Sequence, residues 1–314
     1  MANEQVSHPQ MTKLYFMSDG REPVKLWEEC KKAQEDWERW TKENKLLVVE
    51  DGQLSGQLQD AIKNLVINFV FMSNKLEDTL PRGTDEEKVK KLLSKEYGSD
   101  SVIDSASGAD LQLTDAVGGY QLLQHLAAFK LLCQKQGDRK TLPDLTEELI
   151  QRAHSIMMRG LKTEEGEPVN AGRYRKISVH AGQHVYPSHE FVPANMTEIV
   201  KEYNRKSSQP HDMYQLASWL YYNVVSLHPF EDGNGRISRL LWCYSLMRDG
   251  LPIPAVLTSG HKRSQSHLVQ CLERDRKYSV TNHPHLTTLT VVSVCQAWRE
   301  WNESIIPSLQ TKSS

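Results

Sequence analysis

The twelve residues at 228–239, His-Pro-Phe-Glu-Asp-Gly-Asn-Gly-Arg-Ile-Ser-Arg, constrain this chain more than any other stretch. Gly233 and Gly235 lack a Cβ, so the backbone there can take conformations closed to other residues and press its N–H groups against a ligand. The segment that follows, Arg236–Arg248, reads as a helix that stops at Gly250 with Pro252 beyond it. A helix N-terminus carries unpaired N–H donors and a partial positive charge, which makes the turn a natural anion cradle. Arg236 and Arg239 stand about one helical turn apart and can embrace a polyphosphate. Asp232 supplies one hard carboxylate oxygen, the minimal protein ligand for a magnesium ion that otherwise binds phosphates and water. His228 is a group that can accept a proton near neutral pH. A purely structural turn has no use for His, Asp, Asn and two Arg together, so the set points to nucleotidyl or phosphoryl transfer.

The rest of the chain reads as mostly helical, an all-α fold. Helices are expected over residues 24–44, 56–77, 114–136, 145–160, 196–206, 211–227, 236–248, 263–278 and 286–301, from apolar residues recurring at helical spacing. Residues 78–113 turn polar and acidic and read as a loop with a short helix near 89–93. Composition therefore divides the chain into an N-terminal helical region (1–80), a polar linker (81–113), a core (114–280), and a C-terminal helix and tail (281–314). The net charge of −2 gives no general basic field toward nucleic acid or an anionic membrane. No apolar run approaches the length that spans a bilayer, and the first residues lack the regions of a signal peptide. The five cysteines are scattered, without a CxxC pair, which fits reduced thiols in a cytoplasmic or nuclear protein.

The exception to helix is residues 170–192, where two short β-prone stretches flank Ala181-Gly182 and predict a hairpin. His180, His184 and His189 lie in it, but strand alternation does not converge them on a metal.

The run at 228–239 resembles the signature of the Fic (Fido) family, His-Pro-Phe-x-(Asp/Glu)-Gly-Asn-Gly-(Arg/Lys)-x-x-Arg, and matches every fixed position. The resemblance implies a Fic-fold helical bundle with a small β-hairpin flap. It implies a protein adenylyltransferase that moves AMP from ATP to a Ser, Thr or Tyr hydroxyl of a target protein. His228 would be the base, and Asp232 would hold Mg²⁺, with Mn²⁺ as a substitute. Gly233, Asn234, Gly235, Arg236 and Arg239 would bind the nucleotide, with Phe230 packing the loop. Gly172, Tyr174 and Arg175 match the family's Gly-x-Tyr-Arg element ahead of the flap, so His184, Val185 and Tyr186 would dock the target. Ser73 and Glu77 resemble the family's inhibitory motif, (Ser/Thr)-x-x-x-Glu-(Gly/Asn). On that likeness Glu77 pairs with Arg239 at rest and restrains the enzyme, and the same site can also run the reverse hydrolysis. The family's use of dimers admits a homodimer.

Two positions depart from the pattern. Asp78 replaces the usual Gly or Asn, and the stretch 261–272 lacks the tyrosines that help pack adenine in many members. The second departure leaves another phosphate-containing donor open. Two further alternatives are a kinase-like member that moves the γ-phosphate and a non-catalytic nucleotide-binding scaffold. The intact His228 and Asp232 argue against the scaffold.

Overall fold

The computed structural model describes residues 8–15, 22–43, 56–77, 79–80, 84–97, 119–134, 142–162, 166–181, 184–260, 263–278 and 281–307. Its α-helices are α1 (Pro23–Glu43), α2 (Gly56–Lys75), α3 (Glu86–Tyr97), α4 (Gly119–Cys133), α5 (Glu147–Met158), α6 (Val192–Ser207), α7 (Met213–Leu227), α8 (Asn234–Arg248), α9 (Ser264–Lys277) and α10 (Pro284–Glu300). The all-α expectation holds. Among the described residues the only paired strands are β1 (His180–Ala181) and β2 (His184–Val185), antiparallel with His180 opposite Val185 and Ala181 opposite His184. None of these helices is long and apolar enough to cross a membrane.

Several boundaries differ from those expected, for local reasons. The helix expected to reach Glu77 ends at Lys75, and Leu76 and Glu77 form a turn whose amides donate to Met72 and Asn74. The short helix expected at 89–93 extends over Glu86–Tyr97, because Asp85 accepts from the amides of Glu87 and Lys88 and acids fill the first turn. The helix expected from Met196 starts at Val192, after a 3₁₀ turn at His189–Phe191, with Pro193 in its first turn. Asp78, much of the polar linker, the Gly182 turn, His261 and Lys262 lie outside the described residues.

Packing divides the chain into two compact units, one of Met1–Phe69 with Leu251–Ser314 and one of Val70–Gly250. In the first, α1 packs on α10 and α9 on α10. Cys30 faces Val291 across that seam, and Cys295 faces Leu26. In the second, α8 lies buried at the centre, against α7, α4 and α5. All but Gly235, Met247 and Arg248 of its residues are buried, which is how a helix with no polar face can carry Arg236 and Arg239 inward.

Candidate active site

Helix α7 starts at Asp212, whose side chain accepts from the Gln215 amide at 2.9 Å, and ends on His228. His228 sits in the left-handed region at φ 54°, ψ 62°, a conformation that costs a non-glycine residue of order 1 kcal/mol. Its Nδ1 lies 3.2 Å from the Val225 carbonyl. A carbonyl can only accept, so Nδ1 carries a proton, and in the neutral ring Nε2 holds the lone pair.

Between His228 and α8 the loop is closed by Asn234. Its Oδ1 accepts from the Phe230 amide and its Nδ2 donates to the Phe230 carbonyl, both at 2.9 Å. Asn234, expected as a nucleotide ligand, thus uses its buried side chain to fold the loop. Gly233 caps α8 at φ 74°, and a Cβ there would come within 2.6 Å of Met158 Sδ. The position requires glycine twice over, by conformation and by space. The Asp232 side chain is 50% exposed, with Oδ2 3.7 Å from Arg236 Nη2. Arg236 is buried and donates from Nη1 to Gln121 Oε1 on α4 at 2.9 Å. Its Nε, also buried, has no hydrogen-bond partner among the described residues.

The Ser73–Glu77 segment meets this cradle. Arg239 donates from Nε to Ser73 Oγ and from Nη2 to the Ser73 carbonyl, each at 2.8 Å, and pairs with Glu77 Oε1 at 2.7 Å. The Glu77 carboxylate lies so close over Gly235 that a methyl group there would collide with Oε1. Burial pushes its pKa up, but Arg239, Arg236 and His228 outweigh burial and hold it below the ordinary carboxylate value. Glu77 is therefore an anion, seated at a helix N-terminus that offers an anion site.

Over the other side lies the flap. Tyr186 stacks on the His228 ring at 3.9 Å between centroids, and His184 meets Tyr186 edge-on at 4.8 Å. Val185 is largely exposed. Arg175 ties the flap to the loop. Its buried guanidinium donates to the carbonyls of Ile177 and Pro187 on the flap side and of Leu227 and His228 at the end of α7.

Three of the residues that hold this site together were not singled out from sequence. Gln121 anchors Arg236. Asn170 donates to both oxygens of Glu231 at 2.8 and 2.9 Å. His154 on α5 accepts from the Gly172 amide at Nδ1 and donates from Nε2 to the Asp232 carbonyl, both at 2.9 Å, while stacking on Phe230. None carries a local signal, since each reaches a partner at least 61 residues away in the chain.

A profile of the Fic/DOC family matches residues 144–246, which contain His228, the cradle and the flap. A Fido domain-containing protein of Dictyostelium discoideum is 35% identical over 98 residues, covering 31% of this chain and 68% of that relative. The chain belongs to the Fic family. The protein adenylyltransferase fic-1 of Caenorhabditis elegans is 40% identical over 91 residues, a match spanning 29% of this chain but only 18% of that longer relative. A Fic domain-containing protein of Bacteroides thetaiotaomicron superposes with a TM-score of 0.59 at 24% identity, over 90% of this chain and 98% of its own. A Fic family protein of Desulfovibrio desulfuricans gives 0.61 at 18% identity, over 95% and 77%. At such identities these two structures show a shared Fic fold. The family match confirms the resemblance drawn from residues 228–239.

Proposed function

We propose that this Fic protein transfers AMP from ATP to a hydroxyl side chain of a protein and is restrained by Glu77. The observation that carries the reading is the convergence on one helix N-terminus of His228, its Nδ1 bonded to the Val225 carbonyl, the exposed Asp232 carboxylate and two buried arginines. A kinship to several proteins named protein adenylyltransferases supports it. His228 Nε2 takes the proton from the acceptor hydroxyl as its oxygen attacks the α-phosphorus. The bond from that phosphorus to the β-phosphate oxygen breaks, and pyrophosphate leaves. A positioned base contributes roughly 10²–10⁴-fold. The α8 amides and the unpartnered Arg236 Nε meet the charge on the phosphates. Arg239 orients the γ-phosphate once Glu77 gives way. Tyr186, packed on His228, limits where an acceptor can approach.

Asp232 fits a divalent cation: its carboxylate is half exposed, beside an anion cradle and with one oxygen away from its own helix cap. Asp232 would hold Mg²⁺, or Mn²⁺ in its place, which neutralises phosphate charge when bound. The test supplies Glu77→Gly with ATP labelled at the α- or the γ-phosphate and follows label on protein, with His228→Ala in the same background as control. Only α-label is expected on protein, and it is expected to depend on His228. Transfer of γ-label without α-label would replace this reading with a kinase.

A further inference from the structure

His154, already seen to bond Gly172 and Asp232, has no part in the transfer proposed above. It touches neither the cradle's open side nor the flap's outer face, and it is fully buried. Its two ring nitrogens nevertheless bond to the two backbone segments that the reaction must hold in register. Nδ1 accepts from the Gly172 amide, where the chain starts toward Arg175 and the flap, and Nε2 lies 2.9 Å from the Asp232 carbonyl, in the turn that leads into α8. A backbone amide can only donate and a carbonyl can only accept. The tautomer is thereby fixed as neutral, with the proton on Nε2. The ring lies flat on Phe230, 3.6 Å between centroids and 7° between planes. Its surroundings leave no slack: a Cβ at Gly172 would come within 2.8 Å of Gln151 O and Ser155 Cβ, and one at Gly233 within 3.3 Å of His154 Nε2.

The geometry points to His154 as a positioning residue that fixes the Asp232–Gly233 turn against the start of the flap, so that cradle and acceptor platform keep one spacing. Burial alone, a phenylalanine's contribution, would fill the same space without tying either backbone group. Each group would then be buried and unpaired, and the turn free to drift from the flap. A loss of reach of about 1 Å between reacting groups is enough to cost about 100-fold in rate. This inference rests on the adenylyl-transfer reading for its kinetic half and on geometry alone for the rest.

The test uses full-length protein carrying Glu77→Gly as parent. His154→Phe keeps the ring and its stack but loses both hydrogen bonds, and His154→Gln keeps an amide that can donate and accept. The Phe variant is expected to lose about 10- to 100-fold in kcat, with hydrogen exchange faster at Gly172. The Gln variant is expected to recover part of both. In the unsubstituted protein, ¹⁵N chemical shifts should show a neutral His154 ring with the proton on Nε2 at pH 7. Unchanged kcat and unchanged Gly172 exchange in His154→Phe would overturn the assignment. So would exchange that rises evenly over residues 70–250, which marks plain packing, or a ring protonated on Nδ1. Should the parent itself transfer no label, the transferase reading falls, while the exchange and tautomer results still decide the role of His154.

Discussion

Among the described residues, two α-helices begin on a left-handed residue with no side-chain cap of its own, and the difference between them shows what a helix N-terminus is for. Helix α8 starts on Gly233 and α10 on His283, both in the left-handed region. Each receives a carboxylate from elsewhere in the chain. At α10 it is Asp275 of α9, fully buried, accepting from the amides of His285 and Leu286 and from His285 Nδ1 at 2.6–3.1 Å. At α8 it is Glu77, in the turn after α2, with its side chain 34% exposed and its grip on Arg239 shared with Ser73. The first carboxylate is built into the fold. The second lies over Gly235 and pairs with Arg239, more exposed than Asp275, and on the reading proposed above it leaves while the arginine keeps two bonds to Ser73. A permanent cap stabilises a helix; a removable one reserves the site for another anion.

Stability measurements separate the two most widely. Asp275→Ala strands two backbone donors and an imidazole at a buried helix start and is expected to cost about 2–4 kcal/mol. Glu77→Ala removes a one-third-exposed carboxylate from a buried arginine that stays bonded to Ser73, so about 1 kcal/mol or less is expected. Urea unfolding of both variants checks this, and equal losses would erase the distinction.

A smaller effect comes from the opposite end of α8, where Asp249 at the C-cap binds His211 Nε2 at 2.9 Å and the Gln209 carbonyl takes Nδ1. Both nitrogens donate, so the ring is held as a cation, and the Asp249 bond raises its pKa above the ordinary 6.5. A raised pKa contributes stability that is fully present below pH 6.5 and lost as the pH rises through the folded value. The unfolding midpoint should therefore fall between pH 6 and 9 by more in wild type than in His211→Gln, a difference worth about 1 kcal/mol or less. Identical pH profiles would show that this end of α8 has no titrating clamp.

The helices were legible because apolar spacing is a local property, and the misses were local too: the Asp85 cap and Pro193 in a first turn moved two starts, and a turn ended α2 two residues early. The cradle was legible for the same reason, since His228, Asp232, Gly233, Arg236 and Arg239 are packed into twelve residues. What sequence could not supply was the second layer. Arg175 matched a family element, but its four carbonyl partners come from two segments that meet only on folding. His154 and Gln121 reach across 78 and 115 residues to the loop they support. The loop-folding role of the Asn234 side chain was also not read from sequence: its partner, Phe230, is four residues away, and an Asn ahead of a helix often bonds local backbone.

The central claim, that Glu77 is a removable occupant of the α8 cradle, is tested most directly by the rate of α-label transfer in Glu77→Gly against wild type, with Mg²⁺ and saturating ATP. A rate at least about tenfold higher in the variant, equivalent to about 1.4 kcal/mol of relieved barrier, is the expected result. Equal rates in an active enzyme would contradict it, and would make Glu77 a cap of the same kind as Asp275.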